Sequence, residues 1–583
     1  MLDVIPPAAL VLVAALLVAV LPRKLGHGVG ALATGTALAL SWLVPAGAHL
    51  QVELFGAFQA VLYNVDSFSR LMGLIFSFIG LVAVVYSYAS DAERTQTAYA
   101  LSYVGTSLAA VFAGDWLTLV FFWELMAVTS TLLVWHYGGR AVRAGFRYAI
   151  LHGIGGSLVL AALVWHYAEA GTFLFGSLPG VAVEPGIAGT VAPVLIAIGI
   201  GVNVGFVGLH AWLPDTYPRP HIAASVFLCV YTTKTGVYGM YRAFPDGHLW
   251  IAYMGGAMAV FGATMALLQS DMRRLLSYHI QSQVGYMIAG VGIGTKLATA
   301  GAFGHVFNHI LYKSLLFMTV GVVIYRTGEE SLKKIGGLAK DMPITAGAFV
   351  VAALSISGFP LFNGYVSKGM ITYAAHHGYE PLFYLLMIGG VGTFLSFIKL
   401  GYHAFFHGSY DGNVLDANRG QSVAMVAVAA LCVFFGVVPS ALYDLLPEGT
   451  YAAGHYTAYT VSHVLEVAVL AVTAVIGFVL LKNALEKVGK VPDIDAIYNP
   501  LTFYGTRAVV VGVTELYAAV DRAVVGFVGF VTGVAADPEA AVAATPLGDR
   551  VDDEYAHPLR AGVGTSILLV TLVVTLVLLV VLG

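Results

Sequence analysis

The fold class of this protein is decided by residues 198–241, which read IGIGVNVGFVGLHAWLPDTYPRPHIAASVFLCVYTTKTGVYGMY. Two apolar runs of membrane length are joined there by a polar turn that contains Pro214, Pro218 and Pro220. The second run carries Lys234 near its centre. Because a lysine near the centre of a bilayer costs about 2.5–3.5 kcal/mol on insertion scales, such a residue usually marks a functional site. The stretch therefore predicts a membrane protein with an ionisable group inside the membrane.

The composition extends this prediction to the whole chain. Its 583 residues are 59% hydrophobic and only 10% charged, with a mean hydropathy of +0.84, whereas soluble proteins carry about 25% charged residues. The net charge of −4 argues against a nucleic-acid partner. Apolar runs of about 18 residues or more recur from end to end and predict an all-α polytopic protein embedded in a lipid bilayer. About sixteen transmembrane helices are expected, at residues 6–22, 28–47, 68–88, 97–113, 116–136, 146–168, 191–212, 221–243, 249–268, 274–294, 299–325, 344–376, 381–406, 421–441, 461–482 and 563–582.

The positively charged residues predict the orientation in the membrane. When successive loops are assigned alternately to the two sides, most of the 28 Lys and Arg residues fall on one side, which the positive-inside rule places in the cytoplasm. Both termini are then expected on the outer side of a prokaryotic plasma membrane. The first run, from Pro6 to Leu21, has the length of a signal peptide, but it lacks a clear small-residue cleavage site and is interpreted as a first span.

Two predicted spans contain residues that interrupt helices. The run at 344–376 holds Gly358, Pro360 and Gly364 in mid-membrane, which predicts two half-helices with freed backbone groups. The run at 191–212 is loosened by several glycines around Asn203. Broken helices of this kind line ion-binding sites in transporters.

The segment 483–562 is the one long piece that is not expected to span the membrane. From Pro500 to about Gly533 it is predicted to be a mostly apolar helix, with Arg507, Glu515 and Arg522 near one face. A helix that lies in the plane of the membrane fits this pattern better than a span.

Ionisable residues inside the predicted spans are few, and they cluster. His305, His309 and Lys313 recur at i, i+4 and i+8 and therefore share one helix face. Taken singly, each such residue can be interpreted as structural instead of functional. It would then form a buried ion pair or be a snorkelling side chain that holds helices together. Together they would cost about 10 kcal/mol or more, which favours a path for protons or ions. The candidate carriers are Glu124, Lys234, His305, His309, Lys313 and Lys368.

Other polar residues give weaker signals. Lys399 lies near the end of its span, where a structural role is expected first. His210 lies near a membrane edge, His279 is interpreted as an edge or interhelical hydrogen-bonding residue, and Asp66 is expected to cap the third span.

Signatures of catalysis are not found in the sequence. There is no metal-ligand spacing, no phosphate loop preceded by a strand and no nucleophile elbow, so no metal or cofactor is expected, and no catalytic site in the chain itself. Cys229 and Cys432 both lie in apolar runs and are expected to be buried thiols.

Four motifs resemble the signatures of a known membrane-protein family. HAWLPDTYP (210–218), LLSYHIQSQVGYM (275–287), FNHILYKSLLF (307–317) and LFNGYVSKGMI (361–371) are similar to those of the antiporter-like membrane subunits. That family includes the A and D subunits of Mrp-type Na+/H+ antiporters, the proton-pumping subunits of respiratory complex I, and relatives in membrane-bound hydrogenases. The resemblance extends from the third span to about residue 440.

The resemblance implies a specific architecture. The family fold has two inverted five-helix repeats, each with a broken helix, which here are the seventh and twelfth spans. The C-terminal in-plane helix followed by a last span resembles the large, arm-bearing subunit of complex I. The implied parts are an N-terminal three-helix segment at 1–96, a first repeat at 97–248, a second repeat at 249–406, further transmembrane helices at 407–482, an in-plane amphipathic arm at 483–562 and a last transmembrane helix at 563–583.

The resemblance also implies roles for individual residues. Glu124 matches the family's fifth-span glutamate, and Lys234 matches an eighth-span lysine or histidine. Lys368 matches the twelfth-span lysine at which the path opens towards the exit side. The histidine and lysine stripe of the eleventh span matches the family's relay. The position that usually holds a lysine paired with the glutamate is Asn203, so the electrostatic pair of the first repeat is missing.

Three functions remain open at this point. The first is a proton-translocating subunit of a multi-subunit Mrp-type cation/proton antiporter, with other membrane subunits as partners, H+ as one ion and Na+ as a candidate second ion. The second is a proton-pumping membrane subunit of a complex I-like NADH-quinone oxidoreductase or a membrane-bound hydrogenase, driven by electron transfer in partner subunits. The third is a scaffold that has lost transport.

Overall fold

The structure is a computed structural model that describes residues 5–54, 56, 58–177, 181–489, 491–546 and 563–582. It divides into a unit of residues 1–492 and a unit of residues 493–583. The helices of the first unit are α1 (Pro7–Val20), α2 (Arg23–Leu43), α3 (Ser67–Ala89), α4 (Arg94–Val111), α5 (Trp116–Trp135), α6 (Arg140–Ala170), α7 (Ala192–Val204), α8 (Trp212–Thr216), α9 (Ile222–Leu228), α10 (Tyr231–Ala243), α11 (Leu249–Leu267), α12 (Met272–Ile293), α13 (Lys296–Thr327), α14 (Pro343–Ser357), α15 (Asn363–His376), α16 (Glu380–Gly401), α17 (Arg419–Val437), α18 (Pro439–Tyr443), α19 (Gly449–His455) and α20 (Val461–Lys487). A π-helical turn, Tyr402–Phe406, continues α16.

The predicted class of a multi-span helical membrane protein is confirmed in outline. Within the described ranges, nine helices are long and apolar enough to cross a membrane by length and composition: α3, α5, α6, α11, α13, α16 with its π-helical turn, α17, α20 and α21 (Asp495–Ala536). Four further apolar helices of 10–17 residues are Pro7–Val20, Ala192–Val204, Pro343–Ser357 and Ile567–Leu582. The count of sixteen spans stays a prediction.

The expectation of a wholly helical chain is wrong at one place. Strands β1 (Gly47–Leu54) and β2 (Phe58–Val65) form an antiparallel hairpin, with Gly47 opposite Val65. The backbone N–H of Val61 donates to the carboxylate of Asp115 at 2.6 Å, which ties the hairpin to the start of α5. The segment is too short to span a bilayer. Its alternating apolar and polar residues are compatible with a β-strand.

Several helices begin at a residue whose side chain caps the first turn. Asp66 accepts from the N–H of Ser69 at 2.8 Å, which confirms the predicted cap of α3. Such caps satisfy backbone donors that a helix leaves free at its N-terminus. The other side-chain caps in the first unit are Asp115, His221, Asp271, Thr295, Asn418 and Thr460.

Three interruptions of the helices lie inside predicted spans. α7 ends at Val204, where Gly205 adopts a φ of 77°. α14 ends before Gly358, and the chain turns there through Leu361, which has a φ of 75°, before α15 begins. These two breaks occur where the glycines and Pro360 predict them.

The third interruption was not predicted from the sequence. The expected span at 221–243 consists of two helices, α9 and α10, separated by Cys229 and Val230. No glycine or proline lies at this break. Its consequence is that the carbonyl group of Cys229 is available to a side chain.

The second unit consists of α21, α22 (Pro538–Ala543) and α23 (Val563–Leu582). α21 is 42 residues long and none of its residues is buried within the chain. It extends the helix that the sequence predicts from Pro500 to about Gly533 by a few residues at each end. Residues 547–562 of the predicted arm lie outside the described residues. The position of the arm in the membrane plane stays a prediction.

Candidate functional site

The candidate site is built around α13, which is enclosed by other helices along most of its length. α13 packs against α12, α14, α15 and α17. The side chains of His305, His309 and Lys313 lie on one face, as their spacing predicts, and all three are fully buried. A helix buried on every side places these ionisable groups away from lipid.

His305 makes hydrogen bonds at both ring nitrogens. Its Nδ1 lies 3.0 Å from the Ser367 hydroxyl and its Nε2 lies 3.3 Å from Oε1 of Gln283. The Gln283 amide is oriented by its Nε2, which donates to Thr393 at 3.3 Å. This places a carbonyl-type acceptor at Nε2 of His305, so a neutral ring carries its proton there and accepts at Nδ1. The Tyr312 hydroxyl lies 3.2 Å from the same Nε2.

Lys368 lies next to this network. Its Nζ donates to the carbonyl oxygen of Ile356 at 2.8 Å, in the last turn of α14, where carbonyl groups lack helical partners. The same Nζ lies 4.6 Å from the centroid of the Tyr286 ring, and that ring is 5.9 Å from the ring of His305. Among the described residues, no carboxylate forms an ion pair with Lys368. The lysine is therefore held by a helix end and an aromatic face.

His309 and Lys313 are buried without hydrogen-bond partners among the described residues. The His309 ring lies 6.3 Å from that of His305 and 5.2 Å from that of Tyr312. An unsatisfied buried polar group costs about 1–3 kcal/mol, so native proteins keep few of them without ordered water or a function. Both residues therefore remain candidates for carrying protons.

His279 also lies in this region, and the interpretation as a hydrogen-bonding residue is wrong. It is fully buried on α12, and neither ring nitrogen has a hydrogen-bond partner in the described part of the chain. It lies one helical turn before Gln283, with its ring 4.8 Å from that of Phe397. The sequence around it, LLSYHIQSQVGYM, is rich in polar residues and gave no indication that it would remain unpaired.

Lys234 lies in the first turn of α10, and its side chain reaches back to the interruption between α9 and α10. Its Nζ donates to the freed carbonyl oxygen of Cys229 at 2.6 Å and to the hydroxyl of Thr233 at 3.0 Å. The lysine is fully buried. The break that the sequence did not reveal thus provides the acceptor that makes a buried amine tolerable. Cys229 and Cys432 are both buried free thiols, as predicted.

A chain of hydroxyl groups lies beside Lys234. The Thr232 hydroxyl is 2.6 Å from that of Tyr103 and 2.9 Å from that of Tyr148. Ser130 donates to the Tyr148 hydroxyl at 2.9 Å. Hydroxyl groups donate and accept at the same atom, so such a chain can pass a proton.

Glu124 is packed tightly against α6 but lacks a charged partner. A Cβ atom on Gly156 would lie 1.5 Å from Oε1 of Glu124, and this oxygen has no hydrogen-bond partner among the described residues. Both polar atoms of the Asn203 amide are also buried and unpaired in the described chain. No hydrogen bond therefore joins Asn203 to Glu124, in agreement with the expected loss of the pair in the first repeat.

Lys399 has a structural role. Its Nζ donates to the carbonyl oxygens of Leu267 at 2.7 Å and Gln269 at 2.8 Å, at the C-terminal end of α11. A cation at a helix C-terminus satisfies free carbonyl groups and the helix dipole. The interpretation of Lys399 as structural first agrees with this geometry.

Sequence reasoning missed several residues of the site. Gln283, Ser367, Tyr286 and Tyr312 all contact a candidate carrier. Three of them stand in the quoted motifs LLSYHIQSQVGYM and FNHILYKSLLF, and Ser367 directly precedes Lys368. Polar residues in an apolar run were a usable signal, but the pairing between helices required the structure.

Comparison with known proteins places the chain in a family. A family model described as NADH:quinone oxidoreductase/Mrp antiporter, TM, matches residues 113–396. The N subunit of the NADH-quinone oxidoreductase of Desulforudis audaxviator is 30% identical over 366 residues, which are 59% of this chain and 72% of that protein. The chain belongs to this family. The matched region contains all six candidate carriers.

Two further comparisons agree with this assignment. The D subunit of the Na(+)/H(+) antiporter of Alkalihalophilus pseudofirmus is 29% identical over 358 residues, which are 58% of this chain and 72% of that protein. A chain in the solved structure of the Mrp complex from Dietzia sp. superposes with a TM-score of 0.67 at 21% identity, over 79% of this chain and 99% of the other. The family identified from the four motifs is thereby confirmed, and the fold is shared with a component of that complex.

Proposed function

We propose that this protein is the proton-translocating subunit of a multi-subunit Mrp-type monovalent cation (Na+)/H+ antiporter. The observation that carries the proposal is the hydrogen-bonded position of His305 between Lys368 and the rest of the stripe on α13. A neutral histidine with a donor on one nitrogen and an acceptor on the other can pass a proton between its two sides. The likeness to the Na(+)/H(+) antiporter protein of Alkalihalophilus pseudofirmus supports the choice of cation/proton exchange.

The proposed path runs through Lys234, Lys313, His309, His305 and Lys368. Among the described residues no ion pair neutralises a carrier of this path. A positive charge on one carrier makes a second charge beside it more costly, because the surroundings are buried and weakly screened. Proton movement along the path is then stepwise, and each step depends on the charge of the next carrier. Glu124 is the candidate carrier of the first repeat, and no hydrogen bond in the described residues joins its Oε1 to this path.

The proposal also includes the number of spans, the internal repeats and the orientation of the chain in the membrane. It comprises sixteen spans, with inverted repeats at 97–248 and 249–406 and both termini on the outer side of a prokaryotic plasma membrane. The arm at 483–562 would lie in the membrane plane and rest on neighbouring subunits. The exposed surface of α21 supports this arrangement, because apolar residues such as Phe503, Leu516 and Phe530 are uncovered within this chain. Partner membrane subunits would cover them.

A second candidate is a proton-pumping membrane subunit of a complex I-like oxidoreductase or membrane-bound hydrogenase. The observation that favours it is the 30% identity to the N subunit of the NADH-quinone oxidoreductase of Desulforudis audaxviator. In that case the same path would be driven by electron transfer in partner subunits.

Exchange in inverted membrane vesicles that carry the whole native gene cluster tests the proposal. We expect Na+-dependent collapse of an imposed pH gradient without any electron donor, and loss of this exchange in Lys368→Ala. Proton uptake only while a donor is oxidised would instead assign the chain to a redox-driven complex. Exchange that is unchanged in Lys368→Ala would contradict the proposed path and favour a structural scaffold.

A further inference from the structure

A cavity of about 550 Å³ lies where α14, α15, α16 and α20 meet. Lys368 is at its wall, close to the end of α14 at Gly358, and His377, where α15 stops, lines it as well. His377 is exposed and Lys368 is buried. Since one water molecule occupies about 30 Å³, the cavity has room for several water molecules. The cavity therefore connects Lys368, the last carrier of the proposed path, with one end of the helix bundle. At that end α15 stops and α20 begins.

The cavity contains a carboxylate that no part of the proposed path uses. Glu466, in the second turn of α20, lines the cavity and is half-buried. It forms no ion pair with any described Lys, Arg or His within 4 Å. His463, three residues earlier on the same helix face, lines the cavity as well. A carboxylate and an amine thus line one cavity without a direct contact.

Tyr456 links the surroundings of Lys368 to those of Glu466 through its contacts with their neighbours. Tyr456 lines the cavity, and its hydroxyl is buried and has no hydrogen-bond partner among the described residues. The hydroxyl stands over Gly369, where a Cβ atom would lie only 2.0 Å from it. Gly369 is the neighbour of Lys368, and the Tyr456 ring stacks on that of His463 at 5.3 Å. An unpaired hydroxyl next to the neighbour of a lysine can accept a proton and donate its own.

We propose that Glu466 is the terminal proton-carrying residue of this protein, and that the cavity is its exit vestibule. The ammonium group of Lys368 gives up one proton, through the Tyr456 hydroxyl and water, and becomes a neutral amine. The carboxylate of Glu466 takes up one proton, becomes a carboxylic acid and then releases the proton to the aqueous side. This inference rests on the proposed function and adds to it, because Glu466, His463 and Tyr456 lie beyond the region that matches the family.

The charged and titratable groups around Glu466 favour a proton over a metal cation. A site for Na+ would need several oxygen ligands close to the carboxylate. The cavity is lined by hydroxyl groups but also by one amine and three imidazoles, each of which repels a cation when it is protonated. The titratable groups that line the cavity with Glu466 are Lys368, His376, His377, His463, Tyr286, Tyr365, Tyr373 and Tyr456.

The first part of the test compares two glutamates of the same helix. Glu466→Gln keeps the shape of the side chain but cannot carry a proton, and Glu486→Gln is the matched control, since Glu486 lies on α20 outside the cavity. In vesicles with the assembled complex, we expect Glu466→Gln to slow exchange by about a hundredfold, the scale of a lost proton-transfer group. The control should stay near the wild-type rate. Equal rates in the two variants would overturn the proposal. The proposed function would still stand in that case if wild type shows exchange and Lys368→Ala does not.

The second part asks whether the lost group carries protons. Glu466→Gly opens additional space, and azide or formate, which are small weak acids, should restore a large part of the exchange in this variant. Neither additive should restore exchange in Lys368→Ala. Lost exchange that returns only at raised Na+ concentration, and not with azide or formate, would assign Glu466 to cation binding and overturn the proposal. Assembly of each variant is verified by size-exclusion chromatography of the detergent-extracted complex.

Discussion

At the scale of single residues, the site depends on how His305 is held. Gln283 accepts at one ring nitrogen and Ser367 lies at the other, so the ring has a fixed orientation between α12 and α15. The proton can leave or arrive at Nδ1 only if the Ser367 hydroxyl remains within reach. The serine is therefore a positioning residue for the histidine.

Ser367→Ala tests this role. Loss of one hydrogen bond worth about 1 kcal/mol should slow cation/proton exchange by roughly five- to tenfold and alter the dependence of its rate on pH. Ser314→Ala is the matched control, since the Ser314 hydroxyl on α13 donates only to carbonyl oxygens of its own helix, at 2.7 and 2.9 Å. Exchange measured in vesicles should be unchanged in the control. The same rate and pH profile in both variants would contradict the positioning role.

The sequence was enough to predict which residues are the candidate carriers, but not which residues they contact. The cost of placing charge in a membrane singles out each candidate carrier from the sequence, and a helical period places three of them on one face. The contacts to Gln283 and Ser367 could not be predicted, because they depend on how three separate helices pack. The missing partner of Glu124 was predictable only through Asn203, as a departure from a family pattern.

At the scale of elements, interrupted helices supply acceptors for buried amines. Lys234 binds the carbonyl group freed between α9 and α10, and Lys368 binds one at the end of α14. A carbonyl at a helix end accepts a hydrogen bond and favours positive charge. Each of these two breaks is thus part of the binding geometry of a lysine. Glycine and proline revealed two of the three breaks in the sequence, whereas the one at Cys229 has neither residue.

Gly364→Ala tests the contact between the two half-helices. A Cβ atom at this position would lie 1.9 Å from the carbonyl oxygen of Ser355, so α14 and α15 must separate. We expect a loss of about 1–3 kcal/mol in stability, as for other overpacked contacts, together with slower exchange because Lys368 loses its bond to Ile356. Thermal unfolding of the purified complex and exchange in vesicles measure the two effects.

Gly347→Ala is the control for that substitution. Gly347 lies in the interior of α14 with no heavy atom within 4 Å of an added Cβ. The substitution should stabilise the helix by about 0.5–1 kcal/mol, since alanine loses less backbone entropy than glycine. If Gly364→Ala were as stable and as active as this control, the close contact between the half-helices would be refuted.

At the scale of the whole molecule, distant parts of the first unit are joined by polar contacts near the ends of the membrane-spanning segments. Asp66, at the start of α3, forms an ion pair with Arg242, at the end of α10. Burial of Asp66 opposes its charge, but the attraction of Arg242 and the hydrogen bonds from Ser69 prevail and lower the pKa of the Asp66 carboxyl group below its usual value. The ion pair therefore links the third span to the helix that carries Lys234.

Asp66→Asn should reveal this link as a stability that depends on pH. Asparagine retains the helix cap but loses the charge. A third of the Asp66 side chain is exposed, so the loss at neutral pH should be about 1 kcal/mol. A lowered pKa in the folded state stabilises above the unfolded pKa of about 4, and this stabilisation disappears as the pH falls through the folded value. The difference in melting temperature from wild type should therefore shrink on acidification; a constant difference would contradict the ion-pair account.

The central claim is that the buried stripe on α13 carries protons, and the rate of exchange in Lys313→Ala tests it most directly. Lys399→Met is the comparison, because Lys399 is also a buried lysine but binds the end of α11. The measurement is Na+-dependent exchange per assembled complex in inverted vesicles. We expect Lys313→Ala to lose about a hundredfold in rate, whereas Lys399→Met loses thermal stability and keeps an exchange rate close to that of wild type. Exchange at the wild-type rate in Lys313→Ala would contradict the claim.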